Sequence, residues 1–218
     1  IILCEKPLAY DLTEASDMVD ACNIAGIELY VNYMRRTDPG VMEVKRRIEE
    51  NEISAPIKGV VWYSKGFLNN GSHFFNLLEF WLGSFVGFRL IDAGRLWNGI
   101  DPEPDVEVEF DLGTVTFLSA WEEAFSHYTV ELLSQSGRLR YEQGGELIEW
   151  QSVLSDPSFI GYKILNIMPE IITNGMSQYQ WHVFDQLAAS LAGKKNTLCT
   201  GRQALTTLES MHKIIQER

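Results

Sequence analysis

Residues 1–31, IILCEKPLAYDLTEASDMVDACNIAGIELYV, contain the pattern that decides the fold. Ile1 to Cys4 is a short apolar run typical of a buried strand, and Ile27 to Val31 is a second one. Between them, Asp11 and Glu14 stand in capping-box positions, and the apolar residues that follow recur at helical spacing until a glycine. Strand, helix and strand in this order predict a βαβ unit of a parallel sheet.

One such unit cannot cover both faces of its own sheet, and a buried strand needs neighbours on both sides. We therefore expect residues 1–35 to be the last part of a doubly wound dinucleotide-binding domain. At roughly 30 residues per unit, the preceding part of such a domain is on the order of 90 residues long. Residues 36–218 are expected to form a second domain for substrate binding and oligomerisation.

The second part of the chain shows a different pattern. Asp38 and Pro39 begin a helix, and residues 71–83 form a very apolar helix that ends at a glycine. Strands then follow one another without helices between them. An earlier strand is predicted at 57–64. The strands of this later part are predicted at 85–92, 106–112, 114–121, 128–135, 138–142 and 146–152. This predicts an α/β (α+β) fold: a βαβ remnant followed by a large, mainly antiparallel open sheet with helices on one face.

The remaining residues are predicted as an irregular segment and two helices. Asp156 to Gly175 contains two prolines and no clear periodicity. In the first helix, one apolar face is shared by Trp181, Phe184, Ala188 and Leu191. The second helix begins at Thr200, with Gln203 in the capping-box position.

Composition excludes several classes of function. The chain has 18 basic and 30 acidic residues, a net charge of −12 that argues against nucleic acid or anionic lipid as a partner. It contains no apolar run long enough to span a membrane. Its cysteines, Cys4, Cys22 and Cys199, are widely spaced and fit neither a metal site nor a disulfide framework, so we expect a reducing, cytoplasmic location.

The first candidate site is Glu5-Lys6-Pro7, directly after the first strand. Open α/β sheets bind ligands at the carboxyl ends of their strands. A lysine there can hydrogen-bond a substrate hydroxyl or assist a proton transfer if burial lowers its pKa. The alternative is a solvated turn with a surface lysine.

The second candidate is His73, with Asn76 three residues later on the same predicted helix face. A histidine can exchange a proton with a reacting hydroxyl near neutral pH, and an amide can orient that hydroxyl. The alternative is a histidine that caps the first turn of a buried helix. Tyr162, in the irregular segment, is a further candidate for a substrate pocket.

Three segments resemble one family in order and spacing: Cys4–Ala9, Asn32–Pro39 with its pair Arg35-Arg36, and Gly71–Gly83. The family is that of the Gfo/Idh/MocA oxidoreductases, the relatives of glucose-fructose oxidoreductase and inositol dehydrogenase. The resemblance covers the whole chain. It implies a Rossmann domain followed by an α/β domain whose open sheet often forms the subunit interface, hence a homodimer or tetramer. It also implies hydride exchange between NAD or NADP and a hydroxyl carbon of a sugar, sugar nucleotide or cyclitol.

The resemblance also assigns roles to individual residues. Lys6 matches the motif lysine that touches substrate and nicotinamide, with Glu5 and Pro7 as its neighbours in the cofactor-binding motif. His73 matches the catalytic acid/base, and Arg35 and Asn76 are candidates for substrate binding. Asn76 stands where the family usually has an aspartate, and an amide cannot accept a proton at neutral pH.

A second departure concerns the cofactor. No Gly-x-Gly-x-x-Gly occurs in these residues, so the phosphate-binding turn is expected elsewhere and the chain alone is expected to be inactive. Two alternatives to an enzyme remain: a non-catalytic relative that senses a ligand or binds a protein, and a dimerising module.

Overall fold

The computed structural model describes residues 1–218. The α-helices are α1 (Leu12–Ile24), α2 (Pro39–Glu49), α3 (Ser72–Leu82), α4 (Tyr179–Leu191) and α5 (Gly201–Gln216). The first seven strands are β1 (Ile2–Cys4), β2 (Leu29–Val31), β3 (Ile57–Tyr63), β4 (Phe85–Asp92), β5 (Leu96–Trp97), β6 (Asp101–Pro102) and β7 (Asp105–Phe110). The others are β8 (Gly113–Ser119), β9 (Thr129–Ser134), β10 (Gly137–Glu142), β11 (Leu147–Ser155), β12 (Lys163–Leu165), β13 (Glu170–Ile171) and β14 (Cys199–Thr200).

A small sheet contains the predicted βαβ unit. β1 and β2 are parallel, with Ile2 opposite Leu29, and α1 connects them. Helix α1 begins as its capping pattern predicts, because the Asp11 carboxylate accepts hydrogen bonds from the amides of Thr13 and Glu14. The sequence did not indicate the third strand of this sheet, β14, which is antiparallel to β2.

The core under the small sheet combines two distant parts of the sequence. Val31 and Val19 from the βαβ unit pack with Ala204 and Leu208 from α5. Helix α5 begins at the predicted capping box, in which Thr200 and Gln203 bond each other's backbone amides. The boundary at residue 35 stays a prediction, because residues 199–208 share a core with residues 8–33.

The large sheet has the strand order β12-β11-β10-β9-β3-β8-β7-β4, and β13 pairs with β11. All neighbouring pairs are antiparallel except β3 and β8, which the sequence did not predict as a parallel pair. Helices α2, α3 and α5 pack on one face, where a hydrogen bond of 3.0 Å joins Trp81 Nε1 of α3 to the Val41 carbonyl of α2. The predicted α/β class, with a mainly antiparallel sheet and helices, is therefore confirmed.

Two details differ from the sequence-based predictions. The segment 156–175 contains the short strands β12 and β13, which pair with β11 rather than remaining irregular. The apolar face predicted for α4 is exposed: Trp181 and Phe184 are each 64% exposed, and the buried residue is Val183, which packs with Tyr30. Helical periodicity identified an apolar face without showing which side packs against the protein. None of the helices combines the length and apolarity that crossing a bilayer requires.

Candidate active site

Lys6 lies at the carboxyl end of β1 and contacts a residue far along the chain. Its Nζ donates hydrogen bonds to the backbone oxygen of Asn69 at 2.8 Å and to Asn69 Oδ1 at 3.0 Å. The Lys6–Pro7 peptide bond is cis. The preceding Glu5 accepts a hydrogen bond of 2.9 Å from Asn32 Nδ2, which ties the end of β1 to the end of β2. Lys6 is therefore a held side chain rather than a solvated surface lysine.

Asn69 belongs to a π-helical turn, Gly66–Gly71, that leads into α3. Its Nδ2 donates to the Lys65 carbonyl at 3.0 Å, so Oδ1 is the amide atom that faces Lys6. Its backbone oxygen also accepts a hydrogen bond of 2.8 Å from Ser72 Oγ. Asn69 is thus bonded to the residues that flank its turn on both sides, Lys65 and Ser72.

His73 lies in the first turn of α3 and is half-buried. Its Nδ1 is buried without a hydrogen-bond partner, and its ring lies edge-on to Tyr33 at a centroid distance of 6.0 Å. Burial, with the nearby positive charges of Arg35 and Lys6, holds the pKa of His73 well below its ordinary value. The imidazole is therefore neutral at pH 7 and can accept a proton.

The pKa of Lys6 is also lowered, like that of His73. Burial lowers its pKa, Arg35 adds to the effect, and the negative charges of Asp101 and Glu5 oppose it. An ammonium has three N–H donors, and two of those of Lys6 are taken by the backbone oxygen and Oδ1 of Asn69. One donor therefore has no hydrogen-bond partner in the structure.

Arg35 carries a positive charge that lowers the pKa of both Lys6 and His73. It lies in the buried 3-10 turn Met34–Thr37, and its guanidinium carbon is 5.0 Å from the centroid of the Phe74 ring. Its Nε and Nη1 are buried without hydrogen-bond partners. Lys6, Arg35 and His73 thus form one cluster between the small sheet and the start of α3.

Parts of the chain are similar in sequence to known dehydrogenases. No family model matches the chain. D-apiose dehydrogenase of Paraburkholderia graminis is 30% identical over 98 residues, which are 44% of this chain and 26% of that protein. The scyllo-inositol 2-dehydrogenase (NAD(+)) of Bacillus subtilis is 39% identical over 66 residues, 30% of this chain and 18% of the other. The matches thus span about a quarter or less of these curated relatives.

Solved structures match nearly the whole chain. An NAD binding oxidoreductase from Klebsiella pneumoniae superimposes with a TM-score of 0.78 over 99% of this chain and 72% of its own, at 14% identity. The aldose-aldose oxidoreductase from Caulobacter crescentus complexed with glycerol gives 0.74 over 99% and 70%, at 16% identity. The chain has the fold of the Gfo/Idh/MocA oxidoreductases and is related to them in sequence.

Within this Gfo/Idh/MocA fold, two of the candidate substrate-binding residues lie away from the cluster. Asn76 is only 1% exposed; its Oδ1 accepts from Arg36 Nε at 2.7 Å, and its Nδ2 donates to Thr207 Oγ1 at 3.0 Å. Its amide is engaged inside the protein in this structure, and a contact between Asn76 and a substrate stays a prediction. The i, i+3 spacing placed Asn76 near His73 along the helix but did not show that α5 covers it.

Tyr162 is the other candidate that lies away from the cluster, and its part in a substrate pocket stays a prediction. It is 70% exposed on the turn between β11 and β12, where its ring contacts Phe159. In the sheet order, β12 is separated from β3, the strand that leads to the site, by β11, β10 and β9. No contact joins Tyr162 to Lys6, Arg35 or His73 in the structure.

Three residues of the site were not found from the sequence: Asn69, Tyr33 and Asp101. Asn69 contacts Lys6, Tyr33 contacts His73, and Asp101 binds the backbone of the turn that carries Asn69. The sequence predicted only a loop before His73 that could approach a substrate or simply turn. The one available signal was the pair Asn69-Asn70 in that loop, because asparagine is frequent in turns that need side-chain hydrogen bonds.

Proposed function

We propose that the chain is the substrate-binding part of an oxidoreductase that acts on a hydroxyl or keto carbon of a sugar, sugar nucleotide or cyclitol with NAD or NADP. The observation that carries the proposal is the convergence of Lys6, Asn69 and His73 at the carboxyl end of β1. Open α/β sheets bind their ligands at this end. The names of the related dehydrogenases, which act on apiose and inositol, support the same class of substrate.

Each residue has a role that its environment supports. The neutral His73 accepts the proton of a substrate hydroxyl, because its lowered pKa leaves the imidazole unprotonated. Lys6 donates its remaining N–H to the same oxygen and favours its negative charge. Arg35, buried beside both residues, is proposed to contact the substrate and keeps the local potential positive. The nicotinamide, when bound, supplies the hydride acceptor or donor.

The residues present fit only part of a nicotinamide cofactor. Glu5, Lys6 and Pro7 follow a parallel strand, where the nicotinamide end would lie. No glycine-rich phosphate-binding turn occurs among the 218 residues, so the phosphates would be held by other residues. We propose on this basis that residues 1–35 are the last part of a dinucleotide-binding domain, and that this chain alone binds the cofactor weakly.

We also propose that the open face of the large sheet joins two or more copies of the chain. Trp62 on β3 is 40% exposed and Leu133 on β9 is 46% exposed. Leu133 is opposite Lys58, which lies two pleats from Trp62 on the same face of β3. The three free cysteines fit the reducing compartment expected from the sequence.

A non-catalytic, ligand-sensing relative is the second candidate. A specific observation favours it: the group that contacts Lys6 is the amide of Asn69, and no carboxylate hydrogen-bonds to Lys6 or His73. An amide can orient a hydroxyl but cannot take its proton. In this case the cluster would bind a polyol without changing it.

Activity measurements with the complete gene product separate the two candidates. The assay follows nicotinamide reduction with NAD⁺ and NADP⁺ against a panel of aldoses, sugar nucleotides and cyclitols. Lys6→Met is expected to lower kcat by about 10²–10⁴-fold, the usual contribution of acid–base assistance. Lys194→Met, in the exposed segment after α4, is the control. Binding of a polyol without any reduction across the panel would support the sensing relative instead.

A further inference from the structure

Asp101 lies beneath the turn that carries Asn69. It is buried, its Oδ1 accepts a hydrogen bond from the Leu68 amide at 3.0 Å, and its Oδ2 accepts one from the Asn69 amide at 2.8 Å. The Asp101 carboxylate lies close to the backbone of Gly66: a Cβ atom added to Gly66 would be only 2.1 Å from Asp101 Oδ2. The carboxylate therefore occupies the space that a side chain at Gly66 would need.

A second acid holds the start of the same turn. Glu103 is fully buried; its Oε1 accepts from the Gly66 amide at 3.1 Å, and its Oε2 accepts from Arg95 Nε at 2.8 Å. Both acids belong to or follow β6, which pairs with β5 through Trp97 opposite Asp101. The small β5–β6 hairpin thus presents two carboxylates to the backbone amides of Gly66–Gly71.

We propose that Asp101 is a positioning residue for the reaction: by binding the amides of Leu68 and Asn69, it fixes the two Asn69 oxygens that hold Lys6. The connection is continuous. Asp101 accepts from the Asn69 amide, and the carbonyl and side-chain oxygens of the same residue accept from Lys6 Nζ. Hydrogen bonds in such a chain polarise and strengthen one another.

Asp101 acts on the position and hydrogen bonding of Lys6, whatever the substrate is. This role rests on the proposed function only in giving Lys6 a part in the reaction. If Asp101 releases the turn, Lys6 loses its acceptors and turns towards solvent, where its amine behaves as an ordinary surface lysine. The charged groups that act on Lys6 are Arg35, Asp101 and Glu5, and only Asp101 also holds the turn.

The test measures two properties that need no substrate. Hydrogen exchange of the peptide that covers Gly66–Gly71 reports the order of the turn. Trace acylation at pH 10, where a lowered pKa gives a buried amine little advantage over an exposed one, is read by mass spectrometry against Lys194 in the same sample and reports the reactivity of the Lys6 amine. Asp101→Ala is expected to raise both by about tenfold, the factor for losing a hydrogen bond to a charged group. Asp101→Asn, which keeps the size, gives a smaller change and serves if the alanine variant does not fold.

The control and the double variant make the test specific. Asp156 also accepts two backbone amides, from Ser158 at 2.7 Å and Phe159 at 3.1 Å, but at an exposed turn. Asp156→Ala should therefore leave the Lys6 reactivity unchanged. Asn69→Ala, which removes Oδ1 but keeps the backbone oxygen, should raise it less than Asp101→Ala does. The double variant should stay below the product of the two single effects, because both variants act on the same hold on Lys6.

Two results would overturn the proposal. The first is a folded Asp101 variant in which exchange of the turn rises but Lys6 reactivity stays at the wild-type level. The second is a double variant in which the two effects multiply, since independent effects exclude a shared contact. Either result leaves the proposed reaction standing. Conversely, a complete gene product without dehydrogenase activity would leave the role of Asp101 in holding Lys6 intact.

Discussion

Arg36 Nε donates a hydrogen bond of 2.7 Å to Asn76 Oδ1, and this contact joins the turn after β2 to the middle of α3. The same guanidinium donates to Gln203 Oε1 at 3.1 Å, at the start of α5. The Asn76 amide completes the set by donating to Thr207 Oγ1 on α5. Three segments that are distant in the sequence are thus held by one buried polar network, next to the site but not in it.

Asn76→Ala is expected to lower the free energy of unfolding by about 2 kcal/mol, because it leaves the buried Arg36 Nε without its acceptor. Urea denaturation measures the change. Asn23→Ala, at an exposed position of α1, should leave the stability nearly unchanged. A folded Asn76→Ala enzyme of wild-type stability with a raised KM would instead show that Asn76 contacts the substrate.

His73→Gln is expected to change how stability depends on pH. The folded protein holds the pKa of His73 well below that of an unfolded histidine, about 6.5, so only the unfolded chain takes up this proton in mildly acidic solution. The contribution of His73 to stability is present above pH 6.5 and is lost as pH falls towards its folded pKa. Thermal melts between pH 5 and 8 should show a shallower acid loss for His73→Gln than for the wild type.

The control for this measurement is His127→Gln, on the loop before β9, which should keep the wild-type slope. If the slopes of the wild type and His73→Gln coincide between pH 5 and 6.5, His73 is protonated in the folded protein. The lowered pKa that burial gives His73 would then be wrong, and the neutral state of its imidazole below pH 6.5 with it.

Glu79→Gln is expected to stabilise the protein increasingly as pH rises from 4.5 to 7. Burial raises the pKa of Glu79 to about 7, against an ordinary value of 4.5, although its hydrogen bond with Thr207 and the charge of Arg36 oppose the shift. The stability that this carboxyl contributes is complete below pH 4.5 and is lost as pH rises through 7. Glutamine keeps an acceptor for Thr207 and does not ionise.

The gain for Glu79→Gln should therefore be absent at pH 4.5 and grow to on the order of 2 kcal/mol at pH 8. Urea denaturation at several pH values measures it. Glu209→Gln, on the exposed side of α5, is the matched control and should show no such trend. A constant difference across the pH range would mean that Glu79 is ionised in the folded protein throughout.

Trp62→Glu combined with Leu133→Glu is expected to convert an oligomer into monomers, because the two charges would lie in the proposed contact between sheet faces. Light scattering after size-exclusion chromatography measures the mass. Ile24→Glu changes an exposed residue of α1, outside the large sheet, and should leave the mass unchanged. A wild type that is monomeric at high concentration would rule out the sheet face as a stable interface.

Local signals in the sequence predicted the helix ends correctly. The caps at Asp11, Asp38 and Thr200 depend on residues within three positions of one another, so they can be read without knowledge of the fold. The pairing of β3 with β8 could not, because α3 and the four strands β4 to β7 lie between these two strands in the sequence. Nor could the exposure of Trp181, since periodicity does not show which face of a helix is covered.

The candidate site was predicted in part for the same reason. Lys6 follows a strand, a position with a known relation to ligands in parallel sheets. Its partner Asn69 is 63 residues away in the sequence, and only the folded turn brings the two together. The burial of Asn76 could not be predicted, because helical spacing gives the side of α3 on which it lies but not the side that α5 covers.

The antiparallel pairing of β14 with β2 affects the order in which the protein can fold. The contacts between Cys199 and Val31, and between Thr200 and Tyr30, join residues that leave the ribosome at very different times. During synthesis, the small sheet and its core cannot be completed before residues 199–208 have emerged. The sheet that presents Lys6 therefore depends on residues made late, and long-range closure of this kind slows folding.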